Sequence, residues 1–264
     1  MNAEKPVAGK IAIITGGGSG IGRASAILLA RQGAKVCLLD RTPENAKEVQ
    51  QLIVAEGGEA CYVETDISVP EMVEKGMRHV VDLWGRLDIV FANAGINGTL
   101  APIEEMTVQD WETTMNINLK GTFLTVKYAV PYLKKNGGSI IITSSINGNR
   151  VFSNFGFTAY STSKAGQVAF MQMAALELAK FKIRVNAICP GAIETNIGEN
   201  TNWTPEVEKI TIPVEFPKGD QPLQKGPGQP EHVADLVLFL SSDASSHITG
   251  TPIYIDGAES LLHG

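Results

Sequence analysis

Short apolar runs recur along the chain between longer stretches patterned on a helical period. The runs occupy residues 11–15 (IAIIT), 35–39 (KVCLL), 60–63 (ACYV), 87–92 (LDIVFA), 139–143 (SIIIT), 183–189 (IRVNAIC) and 252–255 (PIYI). Most are continuously apolar rather than alternating, as strands buried on both faces of a parallel sheet read. The intervening segments open on helix-start signals. Thr42 precedes Pro43, Ser68 stands three residues before Glu71 with Pro70 between, and Thr107 stands three before Asp110. Thr204-Pro205 and Gln229-Pro230 open two later helices. This alternation predicts an α/β fold, a single doubly wound domain over residues 1–264 with a seven-stranded parallel sheet and helices on both faces. One segment breaks the rhythm. Residues 194–228 carry Pro205, Pro213, Pro217, Pro222 and Pro227, with Gly219, Gly226 and Gly228 near the end, and show no strand pattern. A long irregular segment in a compact domain reads as a substrate-binding lid.

Composition narrows the partners. Apolar residues make up 44% and charged residues 19% of the 264, ordinary for a soluble globular protein. A net charge of −6 and the lack of any long basic run exclude a nucleic-acid track. No stretch approaches the ~20 apolar residues of a membrane span, and the apolar run after the polar start is too short for a signal-peptide core. Cys37, Cys61 and Cys189 are odd in number and widely spaced, which reads as core thiols in a reducing compartment. A cytoplasmic location is expected. No metal-ligand cluster is visible among the cysteines and the four histidines.

The first strand runs into TGGGSGIG, Thr15 to Gly22, and then into a helical pattern. A glycine-rich turn between strand and helix lets backbone N–H groups approach a pyrophosphate at the helix N-terminus. The spacing is T-G-x-x-x-G-x-G, with Gly16, Gly20 and Gly22 in register, and it points to a dinucleotide. Asp40 ends the second strand. A carboxylate there can accept hydrogen bonds from an adenosine ribose and would repel a 2′-phosphate, which favours NAD. It could equally be a turn aspartate before Thr42-Pro43, and Arg41 beside it leaves NADP open.

Tyr160 and Lys164, in YSTSK, share one face of a helix at a spacing of one turn. A phenol with a pKa near ~10 is a poor acid or base at neutral pH, and a neighbouring ammonium would lower it. The pair is either an acid–base device or an ordinary surface pair.

Taken in order, these motifs resemble the short-chain dehydrogenase/reductase family over essentially the whole chain. Beside the glycine turn, Asp66 matches an adenine-contacting aspartate and Asn93-Ala94-Gly95 the family's N-A-G. Asn118 in MNINLKG matches its active-site asparagine, and Ser144-Ser145-Ile146-Asn147-Gly148 its S-S-x-x-G. Tyr160-x-x-x-Lys164 matches the hallmark pair, and Pro190-Gly191 through Thr195 the segment at the nicotinamide end. The resemblance implies a Rossmann fold and Asn118, Ser145, Tyr160 and Lys164 as catalytic residues. It implies a cofactor site of Gly16, Gly18, Ser19, Gly20, Ile21, Gly22, Asp40, Arg41, Asp66, Ile67, Asn93, Ala94, Gly95, Tyr160, Lys164, Pro190, Gly191, Ile193 and Thr195. Ser145 stands 15 residues before Tyr160, about two more than the family commonly has, so Ser144 is the alternative serine.

The implied activity is interconversion of a secondary alcohol and a ketone with NAD(H). Tyr160 would move the proton, Lys164 would depress its pKa, Ser145 would hold the substrate oxygen, and Asn118 would hold a relay water. Expected substrate contacts are Ser145, Asn147, Phe155, Phe157, Tyr160 and Trp203, which with Phe152 suggest a partly apolar pocket. Arg150 is a candidate carboxylate clamp. The alternatives are a 3-oxoacyl-thioester reductase using NADPH and a non-catalytic dinucleotide-sensing module. A homotetramer is expected, with the apolar C-terminal segment at a subunit contact and a small-molecule ketone or alcohol as the ligand.

Overall fold

The computed structural model describes residues 5–216 and 219–263, so Pro217 of the irregular segment lies outside the described residues. In chain order it contains β1 (Ile11–Thr15), α1 (Gly20–Arg31), β2 (Lys35–Asp40), α2 (Pro43–Ala55), β3 (Glu59–Glu64) and α3 (Pro70–Trp84). Next come β4 (Ile89–Ala92), β5 (Gly98–Leu100), α4 (Val108–Met115), α5 (Gly121–Leu133), β6 (Gly138–Thr143) and α6 (Thr158–Leu178). The chain ends with β7 (Ile183–Pro190), β8 (Thr201–Trp203), α7 (Val207–Ile210), α8 (Pro230–Ser241), β9 (Pro252–Ile255) and α9 (Glu259–His263).

All seven apolar runs are strands of one parallel sheet in the order β3-β2-β1-β4-β6-β7-β9. Their lack of alternation has a direct cause. Ala12 and Ile14 of β1 join Leu29, Val36, Leu38, Ile53 and Val237 in one core. Ile13 joins Leu39, Met77, Val90, Leu124 and Ile140 in the other. Both faces of each strand meet a helix layer, so neither parity can be polar. The strand order grows outward in both directions from the β1–β4 pair. In such sheets a crevice opens beyond the carboxyl ends of the strands at that switch point.

Three helix starts differ from expectation, one being Thr204-Pro205, which leads into a turn while α7 starts at Val207 after Glu206. Ser68 makes no capping box, because Asp66 Oδ1 takes both its N–H (2.8 Å) and its hydroxyl (2.6 Å), and α3 starts at Pro70 after Val69. Thr42 precedes α2 without a side-chain cap, and its N–H donates to Asp40 Oδ1 at 2.9 Å. Thr107 caps α4 as read, accepting the Asp110 N–H at 3.1 Å.

Residues 194–228 form an excursion with a closed neck. The Glu194 N–H donates to the Gly228 carbonyl and the Gly228 N–H to the Ala192 carbonyl, each at 2.9 Å. The expectation of no strand is corrected here, because β8 pairs in parallel with β5, Gly98 to Thr201 through Leu100 to Trp203. Each strand is three residues long, too short for a period to register, and the pairing joins residues about a hundred positions apart.

Candidate active site

A cleft of about 630 Å³ opens where the sheet predicts it, beyond the ends of β1, β4, β6 and β7. Its walls include Gly16, Ser19, Gly20, Ile21, Asp40, Arg41, Asp66 and Ile67 at one end. Asn93, Ala94, Gly95, Lys164, Pro190, Gly191, Ile193 and Thr195 follow, then Ser145, Asn147, Phe157 and Tyr160.

The glycine turn needs glycine for reasons of space and backbone angle. Gly16 has φ of +64° and Gly20 of +48°, where an L side chain is strained. A Cβ on Gly22 would sit 2.0 Å from the Gly16 carbonyl oxygen, so α1 packs its first turn directly on the turn's backbone. Gly18 and Gly22 are not cleft walls; they let the walls close up. The Gly18 N–H donates to Asp40 Oδ2 at 2.8 Å. Asp40 therefore performs the local role weighed above, holding both Gly18 and Thr42 backbones, and also lines the cleft.

Asn93 is a brace as well as a wall. Its carboxamide donates to the Thr15 carbonyl (3.2 Å) and accepts from the Thr143 hydroxyl (3.1 Å), tying β1 and β6 to the end of β4. Thr15 Oγ1 accepts the N–H groups of Asn93 and Ala94 at 3.0 and 3.1 Å.

The catalytic candidates converge from three elements. Ser145 and Tyr160 both line the cleft, and the Asn147 N–H donates to Ser145 Oγ at 3.1 Å. Ser144 Oγ instead donates to the Lys164 carbonyl at 2.8 Å, which sets it behind α6 and leaves Ser145 as the serine at the tyrosine. Between Ser145 and Tyr160 the chain makes a turn in which the Asn149, Arg150 and Val151 N–H groups all donate to the Ile146 carbonyl. Lys164 Nζ donates to the Thr143 carbonyl at 2.9 Å and lies 5.4 Å from the Tyr160 ring centre.

Asn118, expected to hold a relay water, is wholly buried in a π-helical turn, Asn116–Lys120, between α4 and α5. Its Oδ1 accepts the Ile96 N–H and its Nδ2 donates to the Ile96 carbonyl, both at 2.9 Å, and to Ser163 Oγ at 3.0 Å. Ser163 in turn donates to the Tyr160 carbonyl at 2.6 Å. Asn118 thus ties the wall at Ile96 to the helix that carries the tyrosine.

Burial pushes the Tyr160 phenol up to about 12, against the hydrogen bond with Ser145, which lowers it; the Cys189 thiol beside it adds a small rise. Burial pushes Lys164 down to about 8. The expected depression of the phenol by the lysine is therefore not what this geometry produces. Burial sets both shifts, and the lysine is not among the causes that act on the phenol. The lysine has a stability signature. The unfolded chain keeps this proton up to about 10.5 and the folded chain only to about 8. In that window the unfolded state binds more protons, so stability rises with pH. The unfolding free energy from urea titrations should climb through it by an amount on the order of 3 kcal/mol more in the native protein than in Lys164→Met. Parallel curves would refute the buried lysine.

Several expected wall residues lie elsewhere. Trp203 is 61% exposed and Phe152 76% exposed. Neither they nor Phe155 line the cleft, and Trp203 reaches it only by an edge contact on Phe157, ring centres 6.1 Å apart. Arg150 stacks on Tyr254 at 3.5 Å and is no wall. One wall was not foreseen. Glu259 of α9 accepts the Ala192 N–H at 2.8 Å from 67 positions away. Its Oε2 fills the space that a Cβ on Gly191 would need, at 2.5 Å. Burial raises its carboxyl. A lone glutamate in a terminal helix carries no local signal of this. Among the described residues no group of three His, Cys, Asp or Glu side chains could hold a metal, and no helix is long and apolar enough to cross a membrane.

The geometry has counterparts among known proteins. A family model described as enoyl-(acyl carrier protein) reductase matches residues 16–258. A 3-oxoacyl-(acyl-carrier-protein) reductase, FabG, of Thermotoga maritima is 38% identical over 250 residues, 94% of this chain and 97% of its own. A cyclohexanol dehydrogenase of Acinetobacter is 37% identical over 250 residues, 94% of each chain. The crystal structure of a 3-ketoacyl-ACP reductase from Sinorhizobium meliloti superimposes with a TM-score of 0.92 at 51% identity, covering 96% of this chain and 99% of that one. With the glycine turn, the N-A-G turn and the serine–tyrosine–lysine group assembled on one cleft, the chain belongs to the short-chain dehydrogenase/reductase family of oxidoreductases.

Proposed function

We propose that the protein interconverts a secondary alcohol and a ketone with NAD(H). The observation that carries this is the continuity of one cleft from Asp40 to the Ser145–Tyr160 pair. Its residues fit a dinucleotide. The glycine turn brings backbone without side chains to the cleft wall at Gly16 and Gly20. Asp40 and Arg41 would hold the adenosine ribose, Asp66 and Ile67 the adenine, and Gly191 to Thr195 the nicotinamide end. When bound, the nicotinamide supplies or accepts a hydride.

The chain's own residues move the proton. A phenol held near 12 is protonated at neutral pH, so Tyr160 is set to donate to a carbonyl oxygen as that oxygen gains charge. Ser145 presents a hydroxyl to the same oxygen and stabilises the charge that develops there. For alcohol oxidation the phenolate is needed, and Lys164 must stay protonated to favour it. Lys164 Nζ is anchored on Thr143 beside the cleft, where it can also hold a ribose hydroxyl.

The names of two relatives favour a second reading, reduction of a 3-oxoacyl thioester. Asp40 on the cleft wall speaks for NADH over NADPH and so for the first. Initial rates of NADH and NADPH oxidation across cyclic ketones and a 3-oxoacyl thioester test both. The first reading expects NADH and a simple ketone to be turned over; NADPH-specific turnover of the thioester alone overturns it.

A further inference from the structure

We infer that the catalytic end of the cleft takes an uncharged, hydroxyl-rich substrate, a cyclic polyol or a monosaccharide, rather than a hydrocarbon alcohol or an acyl chain. The inference rests on the alcohol–ketone reading above and names its substrate class. The carboxamides of Asn97, Asn147 and Asn154 stand in the cleft wall. Asn147 is placed at the reacting oxygen by its N–H bond to Ser145 Oγ at 3.1 Å. Asn154 Nδ2 donates to Asn147 Oδ1 at 2.7 Å. That bond leaves the Asn147 amide hydrogens and the Asn154 carbonyl with no partner among the described residues. Asn97 Nδ2 donates to Thr201 Oγ1 at 2.8 Å, which leaves its carbonyl likewise unused. The wall therefore offers spare donors and spare acceptors side by side.

Hydroxyl groups match such a wall because each both donates and accepts. A carboxylate or phosphate accepts only, and among the described residues no cation beside Ser145 is free for one. Lys164 Nζ is anchored on Thr143, Arg150 stacks on Tyr254, and Arg41 shares its wall with the carboxylates of Asp40 and Glu199. A hydrocarbon ring or acyl chain would strip water from these amides and return nothing. The apolar walls expected for one, Phe152, Phe155 and Trp203, are not walls. Phe157, Ile96, Ile117, Ile146 and Ile197 remain as apolar wall residues, which suit the C–H face of a ring. In the reaction the carbinol C–H and O–H bonds break and a C=O bond forms. The hydride would pass to the nicotinamide dinucleotide and the proton to the Tyr160 phenolate.

The test is kcat/KM with NAD for cyclohexanol, trans-1,2-cyclohexanediol, myo-inositol and glucose, in the native protein and in Asn147→Leu and Asn154→Leu. At least one polyhydroxylated substrate should exceed cyclohexanol by about 10-fold or more, since a site built to bond a hydroxyl rejects the analogue that lacks it. Asn147→Leu should shrink that ratio by about 10-fold, whereas damage to the fold would lower both rates and leave the ratio alone. Preference for cyclohexanol, or a ratio unmoved in both variants, overturns the inference and leaves the alcohol–ketone reading standing. Absence of turnover for every alcohol and every ketone with either cofactor overturns both.

Discussion

Tyr160→Phe should lower turnover by about 10²-fold or more, because positioned acid–base groups contribute roughly 10²–10⁴. The substitution removes one oxygen and little else. Tyr160 is buried in α6, and its ring meets Phe157 edge-on with centres 5.7 Å apart, a contact that phenylalanine keeps. The backbone bond from Ser163 to the residue 160 carbonyl is untouched. What disappears is the proton donor and the partner of Ser145. NADH affinity, read by fluorescence titration, should stay close to native while kcat falls. Near-native kcat in this variant would remove Tyr160 from the chemistry, and a matching fall in NADH affinity would assign the phenol to binding instead.

Asp40→Ala should act on the cofactor and not on the chemical step. It removes an acceptor for a ribose hydroxyl and a like charge facing a 2′-phosphate. One hydrogen bond to a charged group is worth about 1.5–3 kcal/mol, so NADH should bind roughly 10- to 150-fold more weakly. Asp40 also holds the Gly18 and Thr42 N–H groups, so alanine loosens the turn itself. That loss falls on both cofactors alike. The ratio of NADPH to NADH affinity is thus the diagnostic, and it should move toward NADPH. An unchanged ratio would reduce Asp40 to its role in the turn.

Local patterns determined much of this protein. The seven runs became the seven strands because a sheet covered on both faces leaves no polar parity, and an apolar run is then readable without its neighbours. The glycine turn was legible because backbone crowding at Gly16, Gly18 and Gly22 admits no Cβ, a constraint that residue type alone records. Tyr160 and Lys164 were legible because one helical turn fixes their spacing. Tertiary structure decided what depends on distant partners. Asp66 took the Ser68 that would have capped α3, and β5 met β8 across the chain. Ser145 was separated from Ser144 only by which hydroxyl faces α6 from behind. The direction of the Tyr160 and Lys164 shifts followed from burial, which spacing does not report. The wall of the cleft changed character for the same reason. Aromatic residues at 152, 155 and 203 suggested an apolar pocket, but a loop side chain can face either way. Folding turned Trp203 and Phe152 to solvent and brought Asn97 and Asn154 to the cleft beside the expected Asn147.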